Sequence, residues 1–141
     1  MTRENLLAGS SKLETCSEEK ELSLHMEPQL HGDAIVLHCK GRIIFRDEAA
    51  ALSRTVGELL QRTQNLILDL GGVDAVDSAG LGELVLLHMW AEGNRYSVKL
   101  ANPNKRVRHL LRITNLALIF EIHDTVEEAL ATLQTKMRRS A

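Results

Sequence analysis

Cysteine is nearly absent from this chain: two among 141 residues, Cys16 and Cys39, with no C-x-x-C pair and no cysteine-histidine cluster. A disulfide framework or a zinc site needs several such groups at defined spacing, so neither organises this sequence, and both thiols read as reduced. The histidines at 25, 31, 38, 88, 109 and 123 are scattered, and no H-E-x-x-H occurs. No apolar run reaches the roughly 18 residues that a membrane-crossing helix requires. The start, Met1 to Gly9, lacks the apolar stretch of a secretory signal. An excess of one charge is missing too. With 17 basic against 19 acidic residues, the net charge of −2 gives no global reason to bind nucleic acid. What is present, 44% apolar and 26% charged residues, suits a single core at this length. The expectation is one small soluble cytoplasmic domain without metal or cofactor.

Residues 1–20 are polar, mixed in charge and without hydrophobic period, and read as a flexible tail ahead of a domain over 21–141. Leu22, Leu24 and Met26 alternate with polar residues as in a half-buried strand. A turn at His31-Gly32-Asp33 and a strand from Ala34 to Cys39, ended by Gly41, complete a hairpin. Asp47 reads as the cap of a helix with Ala49, Leu52, Val56, Leu59 and Leu60 on one stripe. Leu66 to Leu70 suits a strand covered on both faces, broken by Gly71-Gly72. The apolar segment Leu81 to Ala91, ended by Gly93, wraps more than one helix face, so it is well buried or serves an interface.

Tyr96 to Leu100 alternates as a strand. Asn102-Pro103 reads as a cap followed by proline at the first helical position. The helix beyond turns Val107, Leu110 and Leu111 inward and Lys105, Arg106, Arg108 and Arg112 outward, a face read as solvated. Leu118 to Ile122 reads as a last strand. Thr125 and Glu128 match a capping box before a helix burying Val126, Ala129, Leu130 and Leu133. Helices alternate with strands after the hairpin, so the class is α/β with a largely parallel sheet.

The informative stretch is Val73-Asp-Ala-Val-Asp-Ser-Ala-Gly-Leu-Gly82, between a buried strand and a buried helix, where open α/β sheets place ligand sites. It is not a dinucleotide loop. Val85 stands where the third glycine belongs, and no phosphate-binding loop with lysine follows. Asp69, Asp74 and Asp77 fit turn and cap positions better than a magnesium site. A receiver domain would need an acidic pair after the first core strand, and Cys39-Lys-Gly-Arg42 has none. Capping by Asp77 or Ser78, with glycines for close packing, explains much of the segment structurally.

Asp77-Ser78-Ala79-Gly80-Leu81-Gly82 resembles the D-S-[SA]-G-L-G signature of bacterial anti-sigma-factor antagonists, in the sulfate-transporter and anti-sigma-antagonist (STAS) domain group. Leu66 to Leu70, Val98 to Pro103 and Val107 to Leu116 resemble neighbouring elements of that group, so the likeness spans roughly residues 22–135 in element order. It implies a STAS-like fold: a mixed, mostly parallel sheet of about five strands with an N-terminal hairpin, interspersed with about four helices. It also implies that Ser78 is the serine phosphorylated by a partner kinase, itself the anti-sigma factor, and restored by a phosphatase. The unphosphorylated antagonist binds that partner and frees a sigma factor. The antagonist has no catalytic residue; its serine is a substrate.

One departure matters. Many antagonists read Gly-x-Leu-Asp after the second strand, and here Ile44 holds the acidic position in Gly41-Arg-Ile-Ile-Phe-Arg46. The expected partner surface is Asp74, Asp77, Ser78, Ala79, Gly80, Leu81 and Gly82 together with Arg42, Phe45 and Arg46. Phe45 is one of two phenylalanines, and it reads equally well as an interface anchor or as core. The competing function is a soluble STAS subunit of a lipid or anion transport system, bound constitutively. A small enzyme finds no nucleophile-base pair, metal set or cofactor loop to support it. No direct contact with nucleic acid or membrane is expected, and the oligomeric state, a homo-oligomer included, stays open.

Overall fold

Alternation along the strands decides what each face of the sheet buries. A computed structural model describes residues 23–140, so the tail over 1–20 and Cys16 lie outside the described residues. Strands β1 (Leu24–His31) and β2 (Ala34–Ile43) form the N-terminal hairpin. Helix α1 (Phe45–Leu59), β3 (Asn65–Val76), α2 (Ser78–Gly93), β4 (Ser97–Ala101), α3 (Lys105–Ile113), β5 (Ile122–His123) and α4 (Val126–Ser140) come next. The sheet order is β1-β2-β3-β4-β5, with β1 antiparallel to β2 and all other pairs parallel. This is the expected mixed five-stranded sheet with four helices.

On one face Ile35, Leu37 and Cys39 of β2 and Leu66, Leu68 and Leu70 of β3 join Leu52 and Val56 of α1, Leu84 and Leu87 of α2, and Val107 and Leu111 of α3. On the other face Ala34, Val36, Ile67 and Ala101 receive Ala129 and Leu133 of α4. The period of two thus feeds two cores from the same strands. That second face also carries polar groups beside the apolar ones. His38 Nδ1 lies 2.6 Å from Asp69 Oδ2 and its Nε2 lies 2.9 Å from Gln29 Oε1. Buried Lys99 is held by Glu121, at 2.5 Å. The Cys39 thiol is buried, and desolvation, reinforced by the Asp69 charge, pushes its pKa up to about 12, so it is an inert core group.

Four local expectations are corrected. First, β2 passes Gly41 to end at Ile43, and β3 passes Gly71-Gly72 to end at Val76; the β2–β3 register slips between His38 and Lys40 and again between Gly41 and Arg42. The glycines accommodate a bulge rather than stop the strand. Second, Asp47 lies inside the first turn of α1; the cap position is Ile44, which makes no side-chain cap bond. Third, α3 is capped by Asn104, whose Oδ1 accepts from the Val107 N–H at 2.9 Å. Asn102 is committed elsewhere: at φ +59° its N–H donates to the His123 carbonyl, joining β4 to β5. Pro103 therefore precedes the cap. Fourth, the last strand shrinks to Ile122–His123, because Leu116–Leu118 winds into a 3₁₀ turn after left-handed Asn115. The Thr125 cap does form, its hydroxyl accepting from the Glu128 N–H at 3.0 Å.

The sheet edges are short or interrupted. β5 has two residues, and β1, at the other edge, carries Pro28 at its centre.

The start of β1 is tied to α1 by Glu48, whose Oε2 accepts from the Ser23 N–H at 3.0 Å and the Ser23 hydroxyl at 2.9 Å. The Ser23 N–H, chiefly, holds the Glu48 carboxyl below its usual 4.5 against the opposing effect of burial, with help from the hydroxyl and from Arg42. A carboxyl lowered in the folded state contributes stability above its unfolded pKa and loses it as pH falls through the folded value. Urea unfolding at a series of pH values should therefore show wild type more stable than Glu48→Gln at neutral pH. The gap should close as pH drops below about 4. A pH-independent gap would assign the effect to packing instead.

Candidate functional site

The C-terminal ends of β2 and β3 run out side by side, and one carboxylate organises the two helix starts beyond them. Asp77 is the cap of α2: its Oδ1 accepts from the Gly80 N–H at 3.0 Å. Its Oδ2 accepts from the Phe45 N–H, the first of α1, at 2.8 Å. The Asp77 N–H in turn donates to the Ile43 carbonyl at 3.3 Å. The Phe45 N–H, then the Gly80 N–H, hold the Asp77 carboxyl below its usual range. Both helices thus start on one anion, as the partial positive charge of two helix N-termini favours.

That bond holds an unfavourable conformation. Phe45 sits at φ +61°, a region that bulky residues rarely occupy and that costs on the order of 1–3 kcal/mol. Its side chain is 66% exposed, so Phe45 is not core. Arg42 and Arg46 beside it are exposed as well.

The six-residue motif divides by environment. Ser78 and Ala79 are exposed, and the Ser78 hydroxyl has no hydrogen-bond partner among the described residues. Gly80 is buried. A Cβ there would lie 2.3 Å from the Ile43 carbonyl oxygen and 2.9 Å from Val76 Cγ1, so α2 packs on β2 through a bare backbone. Gly80 therefore belongs to the packing beneath the expected contact surface, and Leu81 is half-buried. Gly82 is exposed, and a Cβ there would meet nothing within 4 Å. Asp74 is exposed where the second register slip skips from the Gly41–Val73 pair to Arg42–Ala75.

The geometry joins Asp77, Ser78 and Phe45 most closely. The three aspartates do not converge: Asp69 is bound by His38, the Gly71 N–H and Asn102, while Asp77 is taken up by backbone N–H groups. Among the described residues no three His, Cys, Asp or Glu side chains form a group able to hold a metal ion. On α3, Lys105, Arg106 and Arg112 face solvent, and Arg108 pairs with Asp124 at 2.9 Å.

Further along α2, Leu86 (59%), Met89 (62%) and Trp90 (44%) remain exposed. A groove between α1 and α2 is lined by Ser53, Gly57, Glu83, Leu86, Leu87 and Trp90. The segment wrapped in apolar residues is thus buried on the side of Leu84, Leu87 and Ala91 and leaves its other apolar side to solvent. Individual outward residues were not separable from the pattern, since leucines stand on both sides.

Over residues 25–129 the sequence matches the STAS domain. The chain belongs to the STAS domain family. Its relatives there include a Thermotoga neapolitana protein named as an anti-sigma factor antagonist homologue, 37% identical over 78 residues, or 55% of this chain and 69% of that protein. A STAS-domain protein of Pseudomonas aeruginosa is 30% identical over 98 residues, covering 67% of this chain and 93% of the relative. In fold, the chain resembles the crystal structure of an anti-sigma factor antagonist from Thermotoga maritima, with a TM-score of 0.67 at 24% identity over 77% of this chain and 94% of that one. It also resembles the STAS domain of a SulP transporter from Vibrio cholerae, at 0.60 and 21% identity over 79% of this chain and 88% of that one.

The two motif glycines should separate experimentally. Gly80→Ala should destabilise the domain by about 1–3 kcal/mol, the usual cost of forcing volume into a packed contact. Gly82→Ala should leave the fold intact or stabilise it by up to about 1 kcal/mol, because alanine is the better helix former and the space is open. Denaturant melts of both variants check this. Equal losses would contradict the division of the motif into a packed and an open half.

Proposed function

We propose that the protein is an anti-sigma-factor antagonist that acts by binding rather than by catalysis, as a partner switch set by phosphorylation of Ser78. One observation carries the reading: an exposed serine with an unengaged hydroxyl opens α2 inside the Asp77–Gly82 motif. Phosphate there adds about −1.5 to −2 charges at a helix N-terminus, which tolerates an anion, so the fold survives. Facing a partner, the same charge stands beside the Asp77 carboxylate. Burying it unpaired costs several kcal/mol, and at about 1.4 kcal/mol per tenfold the affinity falls on the order of a hundredfold or more.

The partner is an anti-sigma factor that is also the serine kinase, with a phosphatase resetting the switch in the cytoplasm. Its footprint covers Ser78, Ala79 and Gly82, the neighbouring Asp74, the Arg42–Arg46 turn, and the outer face of α2 at Leu86, Met89 and Trp90. Among the described residues no helix is long and apolar enough to cross a membrane. A second reading, a STAS subunit bound constitutively to a transport system, is favoured by Ile44 in the position that many antagonists keep acidic.

Pull-down from the native cell with wild-type and Ser78→Asp baits, read by mass spectrometry, separates the two. The wild type should recover a small ATP-binding serine kinase and acquire phosphate at Ser78, while the Asp variant loses that kinase and keeps its melting temperature. Phosphate confined to Ser10, Ser11 or Ser17, or a transport ATPase held equally by both baits, would reject the switch. For the footprint, Phe45→Ala and Arg46→Ala should each weaken capture of the kinase at unchanged melting temperature. Full capture by both would remove this turn from the interface.

A further inference from the structure

We infer that Asp77 is a latch for Phe45 and that negative charge on Ser78 opens it, so the aromatic turn reports the state of the serine. The inference rests on the phosphorylation reading and adds how the modification reaches a second part of the surface.

Phe45 has no local reason to stay where it is. Its φ of +61° is foreign to a bulky side chain, and its ring is exposed rather than held by packing. The residue before it, Ile44, occupies the cap position of α1 and offers no side-chain acceptor. Among the described residues, the acceptor for the Phe45 N–H is Asp77 Oδ2, from 32 positions away. The other oxygen of the same carboxylate is occupied by the Gly80 N–H. A single anion therefore holds the turn, and no oxygen of it is in reserve.

Ser78 is the next residue, at the first position of α2. A phosphate on its hydroxyl brings three strong acceptor oxygens and nearly two charges to the N–H groups that Asp77 now uses. It competes for the Gly80 N–H and repels the carboxylate. Asp77 need only rotate away for the Phe45 N–H to lose its partner. Phe45 then relaxes toward negative φ, and its ring changes position on the surface. Because the turn is exposed and the cores do not involve it, this rearrangement stays local.

The chain has two phenylalanines, Phe45 at the surface and Phe120 in the core (6% exposed), so fluorophenylalanine labelling gives one reporter and one internal reference. The full chain is prepared with phosphoserine incorporated at position 78 during translation, which makes the experiment independent of any kinase or partner. The expected result is a displaced or exchange-broadened Phe45 ¹⁹F resonance, with the Phe120 resonance unmoved. Amide hydrogen exchange at Phe45 should rise by about tenfold or more, as for loss of a hydrogen bond to a charged acceptor. Asp77→Ala should reproduce both changes without phosphate, since it removes both acceptor oxygens. A Phe45 resonance and exchange rate unchanged by phosphoserine overturn the proposal, and so does insensitivity to Asp77→Ala. Should Asp77→Ala shift Phe120 as well, the phosphoserine protein alone decides. The switch at Ser78 could still be true after such a failure, acting by repulsion at the partner surface only.

Discussion

The edge of this domain where α1 and α2 begin depends on one shared carboxylate. Asp77 caps its own helix and the first N–H of another, and its backbone N–H reaches the end of β2. Hydrogen bonds to an ionised acceptor are roughly twice as strong as neutral ones, which is how a half-buried carboxylate can hold a left-handed phenylalanine in place. The starts of α1 and α2 consequently share a pivot. Their packing conforms to it, with Gly80 admitting the Ile43 carbonyl and Leu52, Val56, Leu84 and Leu87 filling the space between helices and sheet.

The motif also shows how a short sequence serves two masters. Asp77 and Gly80 look inward and build the junction, while Ser78, Ala79 and Gly82 look outward and are small. A helix start made this way presents backbone and a hydroxyl, with no large side chain in front of them. Bulk is supplied around it instead, by Phe45 on one flank and by Leu86, Met89 and Trp90 further along α2.

Much of this was legible in the sequence, and the failures have a common cause. Elements carried by short, nearly continuous apolar runs, such as Ala34 to Cys39 and Leu66 to Leu70, were readable because both faces of those strands are buried. The motif containing Ser78 was readable because its spacing is local. Caps were not. Asp47 and Asn102 have suitable side chains, yet Ile44 takes the first position because a distant aspartate supplies the acceptor, and Asn102 is drawn off by β5. Gly71-Gly72 resembles a strand end, and only the neighbouring strand reveals it as part of a slipped register. Leu118 is apolar but 86% exposed, a case in which hydrophobicity says nothing about direction once Asn115 has turned the chain. The bond between Asp77 and Phe45 left no trace in either segment taken alone.

The edges of the sheet carry a different consequence. With Pro28 in β1 and only two residues in β5, neither margin offers an unbroken row of main-chain donors and acceptors to a visiting strand. Recognition by sheet extension is disfavoured at both margins. Such an interface would be written in backbone hydrogen bonds, which side-chain chemistry hardly touches. On the reading proposed above, contact falls instead to helices and their side chains, the part of a protein's vocabulary that a single modified hydroxyl can edit.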